Sequence, residues 1–125
     1  MYKNSKTIIP YPDIDYEIRE IIQLLNEIDG IETIDSCVGH GKYPCQICFK
    51  CEDITVLNKL LHYCFNHERG WVIYLDMGDP DKTWKDLHFI LQTKDITNEY
   101  FVGLMVNNLT NKLHKYIENI KEKSI

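Results

Sequence analysis

Apolar residues recur every three or four positions in three segments of the chain, and this spacing predicts amphipathic helices. The first helix is expected to begin at Asp13, which can cap it, and to end before Gly30. The second is expected to begin at Asp53. The third is expected to be capped by Thr97 and to carry an apolar series made of Phe101, Leu104, Met105, Leu109, Leu113, Tyr116, Ile117 and Ile120.

Four shorter segments, each bounded by turn residues, have the pattern of β-strands. They are 31–37, 45–51, 71–77 and 87–93. Short connections within each β-β pair favour hairpins, so the order α-β-β-α-β-β-α predicts an α+β fold with a four-stranded antiparallel sheet. We expect a single domain over residues 1–125, with the helices mainly on one face of the sheet.

Strand alternation predicts what the other face of the sheet carries. It places Gln46, Cys48 and Lys50 together on the second strand. It likewise places His88, Ile90 and Gln92 together on the fourth strand. Such a mixed face can be solvated, bind a ligand or form an interface between copies, and we expect a homo-oligomer.

Composition narrows the classes of partner. A net charge of −5 over 125 residues argues against a protein that grips a long nucleic acid. No apolar run reaches the roughly 18–20 residues of a membrane span, so no membrane partner is expected. The segment "MYKNSKTIIPYP" lacks the apolar core of a signal peptide, which favours the cytoplasm. There the five cysteines are expected to be thiols.

The segment "DSCVGHGKYPCQICFKC" at 35–51 holds four of those cysteines. Their spacing with His40 is similar to that of a zinc site. If 45–51 is a strand, however, Cys48 faces away from Cys45 and Cys51, so these three are expected to pack as small apolar side chains. Cys64 is expected in the core. The leading interpretation therefore has no metal and no cofactor, but it leaves open whether Cys37 and His40 hold an ion.

Cys37 and His40 also have the residue types of a nucleophile with its base. Asp35 or Asp76 could orient the imidazole. No known cysteine-hydrolase signature surrounds them, so covalent catalysis is not the leading interpretation.

The sequence "GHGK" suggests an anion-binding loop. Gly39 and Gly41 allow a left-handed backbone, in which successive N–H groups can converge on an anion. Lys42 and His40 add charge or hydrogen-bond donors, and Ser36 adds a hydroxyl. The spacing is not that of a P-loop. A plain hairpin turn with a solvated lysine is the alternative.

The stretch "LNEIDGIETIDSCVGHGKYPCQICFK", with the later "WVIYLD", resembles a group of small bacterial and phage proteins. Their common features are a helix ending in a PGI-like turn, a T-x-x-SC-x-GHG loop, an apolar strand and a later strand that begins with Trp. The likeness runs from about Leu25 to Leu91, and Asp29 stands where proline is usual. A weaker likeness, carried by Ser36, Cys37 and Gly39, is to the tRNA wybutosine-synthesis methyltransferase family, whose Arg is replaced by His40.

The first resemblance implies a ligand site around residues 36–42. We therefore expect non-covalent binding of a small anionic, nucleotide-like ligand, as in phage sponges that sequester a host immune signalling nucleotide; such a phage product would act in the host cytoplasm. An RNA-modifying or phosphoester-cleaving enzyme that uses His40 and a structural zinc protein are the alternatives. The expected ligand-binding residues are Ser36, Cys37, Gly39, His40, Gly41 and Lys42, with Arg69, Trp71, Asp76 and Trp84 as outer candidates.

Overall fold

The structure is a computed structural model that describes residues 14–65, 70–76 and 87–123. A short 3₁₀ turn at Tyr16–Ile18 precedes the first helix. The elements, in chain order, are α1 (Arg19–Asn26), β1 (Ile31–Cys37), β2 (Gln46–Cys51), α2 (Ile54–Cys64), β3 (Trp71–Leu75), β4 (Leu87–Thr93) and α3 (Glu99–Lys123). The α+β class and the predicted element order are confirmed. The single domain over 1–125 includes residues outside these ranges and stays a prediction.

The four strands form one antiparallel sheet in the order β1-β2-β4-β3. The two predicted hairpins, β1-β2 and β3-β4, are joined because β2 pairs with β4 from Gln46↔Gln92 to Cys51↔Leu87. The β1-β2 register shifts between Thr33 and Asp35, which is the signature of a β-bulge. The two hairpins therefore meet through their second strands, and β1 and β3 become the edges.

The sheet buries one face under the helices and leaves the other more open. Along β2 the residues alternate between buried Ile47, Phe49 and Cys51 and more exposed Gln46, Cys48 and Lys50. The rings of Phe49 and Phe89 stack on the buried face with their centroids 5.7 Å apart. Helix and strand side chains share one hydrophobic core. The predicted alternation, with Gln46, Cys48 and Lys50 on one face, is confirmed.

Most of the cysteine side chains are buried and pack against other residues of the sheet and helices. Cys45, Cys51 and Cys64 are buried, and Cys48 is half-buried on the open face. Burial raises the pKa of both Cys45 and Cys64 to about 12, so these thiols stay neutral at ordinary pH. The expectation that Cys45, Cys51 and Cys64 pack as apolar side chains is confirmed.

The ends of several elements differ from the sequence prediction. The first α-helix stops at Asn26 rather than continuing to Gly30, and Asp13 lies outside the described residues. The Asn26 amide donates to the Ile22 carbonyl and to the Thr33 hydroxyl, and its Oδ1 accepts from the Thr33 N–H. The two bonds with Thr33 tie the end of α1 to the following strand.

The cap of α3 is also shifted by one residue. Asn98, not Thr97, accepts from the N–H groups of Tyr100 and Phe101, at 2.9 and 3.2 Å. Asn is the stronger N-cap residue, so it takes this role when both are available. The cap of α2 was predicted correctly: the Asp53 carboxylate accepts from the Thr55 N–H at 2.8 Å. None of the described helices combines the length and apolarity needed to cross a membrane.

Candidate functional site

The connection between β1 and β2 is a turn with three consecutive left-handed residues. Gly39, His40 and Gly41 have φ angles of 93°, 52° and 80°. The N–H groups of Lys42 and Tyr43 both donate to the Gly39 carbonyl and close the turn. A Cβ on Gly39 would lie 1.9 Å from the Tyr43 carbonyl oxygen, so glycine is required there for space as well as for φ. We call residues 37–43 the GHG loop.

Asp15 anchors the base of the GHG loop. Its Oδ2 accepts from the Val38 N–H at 2.8 Å, although the residue precedes the first helical turn and makes no side-chain cap there. On the loop itself, the Gly39 N–H donates to the Cys37 Sγ at 3.4 Å. The loop conformation is therefore set by contacts from another element as well as by its own glycines.

Asp15, Cys37 and His40 converge at this point. His40 Nε2 lies 3.4 Å from Asp15 Oδ2, with 62% of the histidine side chain and 28% of the aspartate side chain exposed. One donor atom from each of the three residues lies within 4.8 Å of the other two. This is the sole group of three such side chains in the described part of the chain. We call it the DCH cluster.

The spacing of the DCH cluster does not fit a nucleophile-base-acid triad. In a triad the imidazole bridges the other two groups through opposite nitrogens, which separates nucleophile and carboxylate by roughly 7 Å or more. Here Asp15 and Cys37 present atoms within 4.8 Å of each other. The three side chains converge on one point instead of forming a relay, which is the arrangement that a bound ion requires.

A cavity of about 580 Å³ adjoins the GHG loop. Its walls come from the 3₁₀ turn, the start of α1, the loop and the first turns of α3. Val38, Val102 and Val106 form an apolar part. His40 and Gly103 also line it, and a Cβ on Gly103 would meet nothing within 4 Å. We call this space the loop cavity.

The charged lining of the loop cavity is mixed. Glu17, Glu20 and Glu99 bring carboxylates, and Arg19 brings a guanidinium. The Arg19 guanidinium lies over the Tyr16 ring, 5.5 Å from its centroid, and the Tyr16 side chain also lines the cavity. The acidic groups outnumber the cationic ones in this part of the site, which the sequence did not predict.

The structure brings two of the six predicted loop residues into one cluster, and His40 is the one of the six that also lines the loop cavity. Cys37 and His40 meet in the DCH cluster, and Lys42 is exposed on the GHG loop. Ser36 is different: it pairs with buried Ile47, so alternation turns its side chain to the helix-covered face, opposite Cys37. Sequence reasoning missed Asp15, because its partner Val38 is 23 residues away and no local pattern signals that contact.

Two outer candidates lie away from the loop. Trp71 is 7% exposed and packs edge-to-face on Phe65, with centroids 6.5 Å apart, so its ring belongs to the core and is not open to a ligand. Asp76 follows β3 at the opposite end of the sheet, where its N–H donates to the His88 carbonyl. The expectation that Asp76 orients His40 is wrong.

The other acid proposed to orient His40 is Asp35, and it also has a different role. It is exposed, and its Oδ1 accepts from the neighbouring Ser36 N–H at 2.9 Å. The carboxylate beside the imidazole is that of Asp15. Arg69 and Trp84 lie outside the described residues, and their assignment to the site stays a prediction.

No protein-family model matches the chain, and neither a curated protein nor a solved structure matches it. The resemblance to the bacterial and phage proteins with an SC-x-GHG loop stays a prediction, as does the weaker likeness to the methyltransferase family. The protein is therefore described by its structural features, which are an α+β fold, a glycine loop, a cluster of three converging side chains and an adjoining cavity.

Proposed function

We propose that the protein binds a small, nucleotide-like ligand non-covalently in the loop cavity. The observation that carries this proposal is a cavity of about 580 Å³ directly beside the GHG loop. Its volume falls within the roughly 300–1,000 Å³ that small-molecule sites occupy. Apolar walls with a few polar groups at one side are also typical of such sites.

The loop supplies groups suited to an anionic part of the ligand. Among the described residues, the backbone N–H groups of His40 and Gly41 have no hydrogen-bond acceptor. Consecutive N–H groups in a left-handed turn can both bind one anion. Lys42 follows directly and is exposed, and we propose that its ammonium group pairs with the same anion. The two N–H groups and the lysine are together suited to bind one phosphate at the loop.

The carboxylates restrict what the rest of the ligand can be. Glu17 and Glu20 would repel further phosphates but would accept hydrogen bonds from sugar hydroxyls or amino groups. The Tyr16 ring, 79% exposed, offers a surface on which a base can stack. A ligand with few phosphates and several hydrogen-bond donors therefore fits better than a polyphosphate or a long nucleic acid.

Glu99 provides a sharp test of the ligand's orientation. Its Oε1 lies 3.3 Å from the position that a Cβ on Gly41 would take, so this carboxylate is next to the proposed phosphate position. Glu99→Gln removes the negative charge and keeps the shape. We expect a several-fold tighter Kd for the nucleotide in calorimetry, and a weaker Kd would place the phosphate elsewhere.

The chemical fate of the ligand separates capture from catalysis. The protein is incubated with a panel of mononucleotides and cyclic nucleotides, isolated, heated, and the released compounds are identified by mass spectrometry. Recovery of unchanged ligand in near-stoichiometric amount supports capture, as a sponge requires. Release of a converted product would contradict the proposal and favour an enzyme that uses His40.

Gly103 allows the cavity to be blocked with little risk to folding. It lies in α3 and lines the cavity, and a Cβ added there has no heavy atom within 4 Å. Gly103→Leu is expected to abolish nucleotide binding. Its matched control, Gly103→Ala, should keep binding and raise the free energy of unfolding by about 0.5–1 kcal/mol, because alanine favours a helix over glycine.

A second variant tests the loop itself. His40→Ala combined with Lys42→Ala is expected to weaken nucleotide binding by at least tenfold while the far-ultraviolet circular dichroism stays unchanged. Unaltered affinity in this double variant would show that the ligand is not held by the GHG loop. The matched control is His62→Ala with Lys59→Ala, a pair of α2 residues outside the loop cavity.

The proposed homo-oligomer concerns a different surface. The open face of the sheet carries polar Gln46 and Gln92, joined by a hydrogen bond of 2.6 Å, and also half-exposed Tyr74, which pairs with Ile90 of β4. Oligomer state and a phage origin stay predictions. Light scattering of the native chain and of Tyr74→Lys would test whether this face pairs: a loss of mass in the variant is the expected result.

A further inference from the structure

We propose that Asp15, Cys37 and His40 form a binding site for a divalent transition-metal ion, with Zn²⁺ as the best match and at least one coordination position left to water. The site goes beyond the proposed nucleotide binding and does not depend on it. Asp15, the residue that completes the set, comes from the segment before α1, whereas the other two come from the GHG loop.

The distances are those of a site close to its metal-bound form. Zinc bonds of about 2.0–2.3 Å in tetrahedral geometry place neighbouring ligand atoms roughly 3.3–3.8 Å apart. His40 Nε2 and Asp15 Oδ2 are already 3.4 Å apart, and all three donor atoms lie within 4.8 Å of one another. His40 and Cys37 are both exposed, so their side chains have room to rotate toward an ion.

The donor set selects the class of metal. Thiolate sulfur and imidazole nitrogen are ligands for zinc and related transition metals, whereas calcium and magnesium prefer oxygen alone. One carboxylate completes a set of three different zinc ligands. Three protein ligands with a position open to solvent are typical of zinc sites that bind a further molecule.

Backbone groups already orient two of the three ligands. The Val38 N–H holds Asp15 Oδ2 at 2.8 Å, and the Gly39 N–H donates to Cys37 Sγ at 3.4 Å. Such outer hydrogen bonds fix the ligand geometry in metal sites. His40 has a left-handed backbone, which is uncommon for a residue with a side chain and carries a conformational cost. That conformation places its imidazole against Asp15.

Neighbouring cysteines do not compete for this role. Cys45 is fully buried in the core, and its sulfur is not among the atoms that converge in the DCH cluster. Cys48 lies on the open face of the sheet and is not part of the cluster. The ion would therefore be held at the surface by three residues.

The first experiment measures binding of the metal alone. Tag-free protein is treated with a chelator, exchanged into metal-free buffer and titrated with Zn²⁺ in competition with a chromogenic zinc indicator. We expect one Zn²⁺ per chain. Co²⁺ in place of Zn²⁺ should give a thiolate-to-metal charge-transfer band and intense visible bands of a four-coordinate ion. Absence of the charge-transfer band would overturn the assignment of Cys37.

Variants then identify the ligands. Cys37→Ser, His40→Ala and Asp15→Asn are each expected to weaken Zn²⁺ binding by more than about 100-fold, beyond the effect of losing an outer-shell group. The matched controls, Cys48→Ser and His62→Ala, replace the same residue types elsewhere and should keep wild-type affinity. Equal weakening in the controls, or unchanged affinity in Cys37→Ser, would overturn the proposal.

A measurement on the wild-type chain guards against misfolded variants. Iodoacetamide labels accessible thiols, and mass spectrometry locates the label. Zn²⁺ should slow labelling of Cys37 at least tenfold and leave Cys48 unaffected; equal rates with and without Zn²⁺ would contradict the site. Nucleotide affinity is also measured in the presence of a chelator and in the presence of Zn²⁺. The two proposals can then fail separately, since the nucleotide can bind without Zn²⁺ and Zn²⁺ can bind without the nucleotide.

Discussion

The carboxylate of Asp15 accepts a hydrogen bond from the backbone N–H of Val38 at 2.8 Å, across 23 positions of the chain. This one contact joins the start of the helical segment to the GHG loop. It also presents the same Oδ2 atom to the His40 imidazole, 3.4 Å away. The loop and the DCH cluster therefore depend on a residue that neither belongs to the loop nor has a local sequence signal.

Asp15→Ala should destabilise the fold because it leaves the Val38 N–H without its charged acceptor. A hydrogen bond to a charged group contributes roughly 1.5–3 kcal/mol, so a loss of about that size in the free energy of unfolding is expected in urea. Asp15→Asn keeps an acceptor oxygen and should lose less. Glu17→Ala is the control, since Glu17 is exposed two positions away; an equal loss there would contradict the role of Asp15.

Gly39 and Gly41 should differ sharply in their tolerance of alanine. In Gly39→Ala the new Cβ would lie 1.9 Å from the Tyr43 carbonyl oxygen, and the turn must open, whereas in Gly41→Ala it meets the movable Glu99 side chain at 3.3 Å. Both changes carry the cost of a left-handed alanine, about 1 kcal/mol or more. We expect Gly39→Ala to lose clearly more unfolding free energy in denaturant titration. Equal losses would mean that the carbonyl moves freely.

Asn26 is 3% exposed and links the end of α1 to β1 through two hydrogen bonds with Thr33. Asn26→Ala leaves the Thr33 N–H without its side-chain acceptor, which should cost about 1–3 kcal/mol. Thr33→Val removes only the hydroxyl partner and should cost less. Chemical denaturation of both variants measures this. A loss below that of Thr33→Val would show that the backbone, not the amide, fixes the connection.

Alkaline pH should unfold the protein through its buried thiols. Cys45 and Cys64 have folded pKa values of about 12, raised by burial from the ordinary 9.0. Below pH 9.0 the thiols are protonated in both states and contribute no pH dependence. Above it the unfolded chain loses protons that the folded chain keeps, so stability falls by about 1.4 kcal/mol per pH unit for each thiol until the folded pKa is reached.

The variant Cys64→Ala separates this effect from other titrating groups. It should lower the free energy of unfolding at neutral pH, because packing is lost. Above pH 9.0 the free energy of unfolding should fall less steeply with pH than in the wild type, because one titrating thiol has been removed. Urea titrations of wild type and variant at several pH values give the two slopes. Parallel slopes would show that Cys64 does not contribute to alkaline unfolding.

The sequence predicted the elements well because each has a strong local signal. β1 and β4 have the predicted bounds, and Asp53 caps α2 as expected. Alternation in β2 correctly separated Cys48 from the buried cysteines. The boundaries that were predicted wrongly are those where another side chain makes the deciding hydrogen bond. Asn98 caps α3 in place of Thr97, and Asn26 ends α1 by bonding to Thr33.

The candidate site also has features that the local sequence predicted and features that only the tertiary structure determined. The sequence alone determined the α+β order and the position and glycine character of the GHG loop, because spacing and backbone preference act over a few residues. Only the tertiary structure decided which groups surround the loop. Folding brought Asp15 to His40, placed Trp71 in the core and Asp76 at the far end of the sheet, because strand order and helix packing set distances between residues that are remote along the chain.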